Sequence, residues 1–485
     1  MNSGHIRKAG ECILALTTAG CAAATIVRSL AIIRLPYQLD FGEGEVLNGA
    51  VRLAQGMNPY PDPRQWPVVL DVYGPLAYLL AAIPVRLAGV GFTGPRLIVV
   101  LSAAAVSVLA GLLIWHYARN RSAAVAFGAL FLCITVVYPW VVLLRVDMPA
   151  LALALAGLWL FAVWPERWLW AGLVFVAALF CKWTMLAAPA ACVAWLLSQR
   201  QWKRAGQMVA WTGLLTALVL GALQWATGGF FAFHMFGTHS DPYQWRDWVE
   251  RFRVLLLEQW ILVALTGVYL LAAVRAQRLT LPAAYIPLAM LGTLTAGKLG
   301  ANSNHMLEMA AALCMGAGLG WADLAGQKEK PTTETKRQRG DGDQKIRNAV
   351  VAVAAVALAV IFWRGYWFTK YPFAMPGCEA AYRFVRQHAG EHVLSGDVGA
   401  VLLAGKTVMV SDPYAYSQLV KHGGWSDKEL QDKLRSGYFD LVLTSDESGS
   451  RAERWTPAVR QALAEGYRPV ERFYCTGVAA AWKRK

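Results

Sequence analysis

The chain has 485 residues, 56% of them hydrophobic and only 16% charged, with a mean hydropathy of +0.38. These values exclude an ordinary soluble protein and leave a polytopic, mainly α-helical membrane protein, because a helix pairs all its backbone groups within lipid. The net charge of +15 does not indicate nucleic acid, since Lys and Arg lie in short loops between apolar runs, as topogenic charges do.

In chain order, a basic start (His5, Arg7, Lys8) precedes a first expected span at 12–34. No small-residue cleavage site follows, so this span reads as a retained anchor. Ten more spans are expected at 97–118, 122–142, 148–164, 166–181, 183–199, 206–226, 254–274, 280–297, 303–323 and 348–366. The connections with Arg119 and Arg121, Glu166 and Arg167, Arg200 to Arg204, Arg275 and Arg278, and the segment 325–347 then face the cytoplasm. About eleven crossings place the C-terminus outside. The run 74–92 contains Pro84 and Arg86 and is expected to lie in the outer interface, with Arg86 snorkelling to the headgroups.

The domain reading is a catalytic membrane region over 1–324 including an outer loop 35–96, a cytoplasmic linker 325–347, a last crossing 348–366 and a soluble α/β periplasmic domain 367–485. In that domain HVLSGDVGAVLLAGKTVMVSD and FDLVLTSDE read as strands; SDKELQDKLRSG and TPAVRQALAEGY read as capped helices. Cys12, Cys21, Cys133, Cys181, Cys192 and Cys314 belong to apolar spans and read as small core residues. Cys378 and Cys475 are free to pair if their domain is exported. The 21 tryptophans suit interfacial belts.

The chemistry-bearing residues cluster at expected outer connections. Asp40, Phe41, Gly42, Glu43, Gly44 and Glu45 follow the first span. Asp40 and Glu43 have capping-box spacing, which explains them without function. The alternative is a general base with neighbours that orient it or hold a cation, with Gly42 and Gly44 permitting close approach. Arg145-Val146-Asp147 either completes that site or forms a local ion pair. Lys182, among apolar residues, either snorkels or binds an anion. Lys298, Asn304, His305 and Glu308 group near one span end, where Glu308 shares a helix face with Asn304 and His305; an interhelical polar contact is the plainer reading. The segment 227–253, with His234, His239, Asp241, Tyr243, Trp245 and Trp248, reads as an amphipathic interfacial helix or as a lid over an acceptor groove. Arg96 lies near an outer span end, within reach of a phosphate. The tail carries no nucleophile–base pair, CxxC, HExxH, P-loop or dinucleotide fingerprint.

The stretches LDFGEGEVLNGAVRLAQGMNPYPD, VYGPLAYLLAAIPVRLAGVGFTGPRL, LLRVDMPALALALAGLWLF, CKWTMLAAP and NSNHMLEMAAAL together resemble the GT-C superfamily of polytopic glycosyltransferases. The likeness is to bacterial relatives of protein O-mannosyltransferases and lipid A aminoarabinose transferases, and covers the chain through about residue 323. It implies a catalytic acid in the first outer loop, an interface-parallel helix there, and a second acid in the next outer loop, matching Asp147. It further implies a polyprenyl-phosphate sugar donor and inversion at the anomeric carbon. Many relatives have adjacent Asp-Glu in the first loop; here Asp40 and Glu43 are separated, so either is the implied base.

The expectation is therefore an inner-membrane glycosyltransferase acting on the outer face. Asp40 or Glu43 is the base, and Asp147 positions the acceptor or a cation. Arg96, Arg145, Lys182, Lys298 and His305 meet the departing phosphate. Glu45, Tyr73, His234, His239, Asn304 and Glu308 support the site or the acceptor. A divalent cation, Mg or Mn, is the one cofactor considered, on Asp40, Glu43 and Asp147. Partners are the donor lipid, membrane lipids and an acceptor glycan, lipid or protein. The alternatives are a flippase for a lipid-linked glycan, against which the lack of an inverted repeat or paired broken helices in the sequence speaks, and a non-catalytic assembly factor.

Overall fold

A computed structural model of the chain describes residues 3–238, 241–325, 341–368, 376–445, 454–475 and 478–485. Its membrane part is a bundle of apolar helices, and a small α/β domain follows it. The helices are α1 (Ser3–Ile32), α2 (Phe41–Ala54), α3 (Pro75–Ala88), α4 (Thr93–Ala118), α5 (Arg121–Leu130), α6 (Asp147–Val163), α7 (Trp168–Cys181), α8 (Ala187–Ser198), α9 (Trp202–Ala226), α10 (Trp245–Glu258), α11 (Trp260–Arg275), α12 (Leu281–Gly292), α13 (Leu307–Leu324) and α14 (Asp341–Phe368). Each of the eleven expected spans falls on one of them. Among the described residues, α1, α4, α9 and residues 348–366 of α14 are individually long and apolar enough to cross a membrane.

The departures from expectation occur where spans end. Span 122–142 breaks after Leu130 into 3₁₀ turns at Phe131–Cys133 and Tyr138–Val141, the second with Pro139 near its start. Span 254–274 is α11 alone, because α10 meets α11 at 85° and takes residues up to Glu258. Span 303–323 starts at Leu307, after a 3₁₀ turn at Ser303–Met306. Helix α14 starts at Asp341, so the expected linker ends in helix; 326–340 lie outside the described residues. Cys12 is exposed, unlike the other five free cysteines.

Small residues let the helices approach closely, as is common in membrane bundles. A Cβ on Gly128 of α5 would lie 2.9 Å from Gly111 Cα of α4, and one on Gly320 of α13 would lie 1.9 Å from Leu265 O of α11. Helix α3 occupies the run expected to be interfacial. It buries Ala77, Tyr78, Ala81, Ala82 and Val85 and exposes Leu79, Ile83 and Leu87. Arg86, expected to snorkel, is exposed, and its guanidinium donates to Ala54 O at 2.9 Å, capping α2, where a cation suits the helix dipole.

The C-terminal domain contains α15 (Pro376–His388), α16 (Val398–Leu403), α17 (Pro413–Lys421), α18 (Lys428–Arg435) and α19 (Pro457–Gly466). Its sheet runs β1-β2-β4-β3 with β1 (Val393–Ser395) parallel to β2 (Leu441–Ser445), and β4 (Val478–Arg484) antiparallel to both β2 and β3 (Tyr467–Tyr474). The long strand expected at its start is interrupted because Asp397 accepts from Ala400 N and caps α16. Cys378 and Cys475 form a disulfide, joining α15 to the end of β3.

The domain core is completed from elsewhere in the chain. Val68 and Leu70, in the loop between α2 and α3, pack with Leu394, Val410, Leu430, Leu434 and Val442. Val68 N donates to Met409 O at 2.9 Å, Ser411 N to Val68 O at 3.0 Å, and Leu70 N to Ser411 Oγ at 2.7 Å. The domain is thus seated on the first long loop.

Candidate active site

Helix α2 begins the site. Asp40 is its N-cap: Oδ2 accepts from Gly42 N at 3.2 Å, satisfying an otherwise orphaned donor. The same oxygen accepts from Arg145 Nη1 at 3.0 Å. The guanidinium lies where a Gly42 side chain would be, since a Cβ there would sit 1.2 Å from Nη1. The rings of Phe41 and Tyr73 flank it at 5.7 and 5.5 Å. Arg145 Nε is buried without a partner.

Glu43 has a different fate. Its carboxylate accepts from Arg96 Nε and Nη2 at 2.8 and 2.7 Å, from Leu39 N at 2.5 Å and from Leu144 N at 2.7 Å. Both side chains of the Glu43–Arg96 pair are fully buried, and Arg96 also donates to Leu35 O and Tyr37 O. Buried pairs persist only when their remaining hydrogen bonds are met, as here. The pair fastens the first loop to α4 and to the approach of α6, away from any cavity wall.

Asp147 lies behind the wall. Its Oδ1 accepts from Lys182 Nζ at 2.5 Å and Asn304 Nδ2 at 2.9 Å, while Oδ2 is buried without a partner. Lys182 ends α7, and Gly74 permits that turn: a Cβ on it would lie 2.1 Å from Phe180 O. His305 Nδ1 lies 2.7 Å from Thr295 Oγ1.

These elements surround a cavity of about 410 Å³. Of the side chains singled out from sequence, Asp40, Glu45, Tyr73, Arg145, Lys182, Lys298, Asn304 and His305 line it. Glu43, Arg96 and Asp147 are supporting structure instead. His234 is also structural: its Nδ1 accepts from Asp71 N and its Nε2 lies 2.9 Å from Pro61 O. Burial pushes its pKa down to about 4, so the ring is neutral. Glu308 accepts from Tyr285 at 3.3 Å within the bundle. His239 lies outside the described residues.

Sequence reading missed the part of the roof that the C-terminal domain supplies, while Asp241 belongs to the segment read as a lid. Asp412 and Tyr414 of the C-terminal domain line the cavity, with Asp241 from the loop before α10. Tyr414 donates to Asp241 at 3.2 Å, and Gly300 (φ 80°) passes beneath the Tyr414 ring. Asp412 accepts from Ala415 N and caps α17; the Ser-Asp-Pro that precedes this helix reads only as a start signal. Burial and the nearby Asp241 carboxylate push Asp412 up to about 6. The domain is held over α2 through Gln38, whose N–H donates to the Tyr382 hydroxyl and whose Oε1 accepts from Gly399 N.

The residues expected to share a Mg or Mn ion do not fit one. Asp40, Glu43 and Asp147 each carry their own cation, Arg145, Arg96 and Lys182 respectively. Among the described residues, no three His, Cys, Asp or Glu side chains are grouped to hold a metal.

No family model matches the sequence, and no curated protein matches it either. Solved structures do. ArnT from Cupriavidus metallidurans bound to undecaprenyl phosphate superposes with a TM-score of 0.65 at 13% identity, over 95% of this chain and 97% of that one. The chain shares the fold of this structure over nearly its whole length. AglB, the Archaeoglobus fulgidus oligosaccharyltransferase, also matches. Its complex with an inhibitory peptide and a dolichol-phosphate gives a TM-score of 0.51 at 10% identity over 96% of this chain and 74% of that one. Its complex with Zn and sulfate gives 0.55 at 10% over 96% and 73%. Within this shared fold, the first loop and the approach to α6 converge at one end of the bundle, under the C-terminal domain.

Proposed function

We propose that the protein is a membrane glycosyltransferase that moves a sugar from a polyprenyl-phosphate donor to an acceptor hydroxyl, with inversion, on the outer face of a bacterial inner membrane. The observation that carries this reading is the cavity itself. Arg145 and Lys182 stand in it beside carboxylates, at the ends of membrane helices, in a fold shared with a protein solved with undecaprenyl phosphate. In the reaction the acceptor oxygen attacks the anomeric carbon as the bond from that carbon to the phosphate oxygen breaks. Negative charge develops on the departing lipid phosphate, where Arg145, Lys182 and Lys298 stabilise it. Arg145 Nε, buried without a partner, is a donor held ready for such an oxygen. The hydroxyl proton passes to a carboxylate of the cavity. Of the acids put forward as the base from sequence, Asp40 reaches the cavity and Glu43 does not.

The topology of this reading has basic connections and the N-terminus in the cytoplasm and the C-terminal domain in the periplasm. The acceptor is a glycan, lipid or protein presented beneath that domain. No step is assigned to a divalent ion. The test is release of sugar from a panel of undecaprenyl-phosphate sugars by purified protein in nanodiscs, with cell-envelope extract as acceptor. Arg145→Ala and Lys182→Ala should each lower turnover about 10²-fold. Full turnover in both folded variants sinks the proposal, and movement of intact donor without covalent change favours a flippase.

A further inference from the structure

Four carboxylates line the cavity: Asp40, Glu45, Asp241 and Asp412. Three of them already hold protein donors. Asp40 accepts from Gly42 N and Arg145, Asp241 from the Tyr414 hydroxyl, and Asp412 from Ala415 N. Glu45 is 6% exposed, yet among the described residues no hydrogen bond or ion pair reaches its carboxylate. Burying a charge without a donor is costly, and a site that keeps one commonly uses it. Glu45 lies one turn beyond Asp40 on α2, and Asp412, 5% exposed, is brought to it by the C-terminal domain. Gly44 allows this seating: a Cβ there would lie 2.6 Å from Gly399 N.

We propose that Glu45 takes the proton from the acceptor hydroxyl, and that Asp412 of the C-terminal domain is its positioning residue. The proposal rests on the glycosyl-transfer reading. The acceptor O–H bond breaks with its proton passing to a Glu45 oxygen, and the acceptor oxygen bonds to the anomeric carbon. The electron pair of the breaking carbon–oxygen bond leaves on the phosphate, which Arg145 and Lys182 meet. Glu45 then returns the proton to water. Asp40 is the weaker base, because Arg145 holds its anion; its part is to aim that guanidinium. The charges around Glu45 are Asp412, Arg145, Asp40 and Arg454. Burial first, and then Asp412, drive its carboxyl well above the ordinary range, which strengthens it as a proton acceptor.

The test uses the full chain in nanodiscs and reads turnover, undecaprenyl phosphate binding and the infrared titration of carboxyl groups. Glu45→Gln should lower kcat by about 10²-fold or more while leaving undecaprenyl phosphate binding unchanged, and Glu45→Asp should restore part of kcat. Asp412→Asn removes a like charge, so the acidic limb of the kcat profile should move to lower pH. The carboxyl band lost in Glu45→Gln should move with it. Asp40→Asn should instead raise KM for the donor. Retained turnover in Glu45→Gln, parallel loss of lipid binding in that variant, or an unmoved limb in Asp412→Asn each overturns the proposal. A wild type that neither binds undecaprenyl phosphate nor releases sugar defeats the transfer reading instead. The infrared titration still decides the Glu45–Asp412 pair, and a Glu45 carboxyl band that does not move in Asp412→Asn overturns it.

Discussion

Glu43 and Asp40 lie three residues apart, and removing their charges should have opposite kinds of consequence. Glu43→Gln leaves a buried Arg96 guanidinium without its anion, which costs about 3–5 kcal/mol. A large drop in thermal midpoint in detergent is expected, with little loss of turnover per folded molecule. Asp40→Asn should fold normally and raise KM for the donor. A second residue-scale prediction concerns Asp71, which is buried without an ion pair among the described residues and whose pKa burial raises to about 8 against the opposing pull of Arg52 and Asn48. The unfolded chain releases this proton near pH 4 and the folded chain only near 8, so this group lowers stability as pH rises between those values. Asp71→Asn should therefore be more stable than wild type at pH 8 and above, with the gap closing by pH 4, as thermal unfolding at several pH values will register. The cluster of acids was legible in sequence, but the division of labour inside it was not. Capping-box spacing fits both acids equally, and only Arg96, 53 residues from Glu43 in sequence, separates them.

At the scale of elements, each hydrophobic run located an apolar helix among the described residues but not the ends that build the site. The run over 254–274 does not reveal that Glu258 and Trp260 belong to helices meeting at 85°, because a helix in the membrane interface is as apolar on one face as a crossing helix. The 3₁₀ turns before α6 and α13 were equally hidden, and they deliver Arg145 and His305. Helix α2 gives an element-level prediction. Gly42→Ala puts a methyl where Arg145 Nη1 lies, so α2 should remain helical, as Ala favours, while Arg145 is displaced. Undecaprenyl phosphate binding should weaken with no fall in helix content by circular dichroism.

Over the whole molecule, the C-terminal domain is part of the cavity and not an appendage. Nothing local in Tyr414 announced this, because its contacts are to residues 241 and 300, far away in the chain, and Asp412 reads locally only as the cap of α17. The Cys378–Cys475 bond closes a separation of 97 residues, and disulfides closing such loops typically contribute about 2–4 kcal/mol. The Cys378→Ser, Cys475→Ser double variant should unfold its C-terminal domain at lower temperature. Cavity function should then fail at the temperature where that domain melts, which paired measurements of domain melting and turnover will check.

The pairing of Val68 with Val410 also has a bearing on biosynthesis. A ribosome finishes the early segment more than three hundred codons before its partner exists. Until the last helix has inserted and the tail has reached the same side, Val68 and Leu70 wait as uncovered apolar edges, and the cavity has no roof. A nascent or truncated chain therefore lacks the closed cavity, and those two side chains stay uncovered until the C-terminal domain is made.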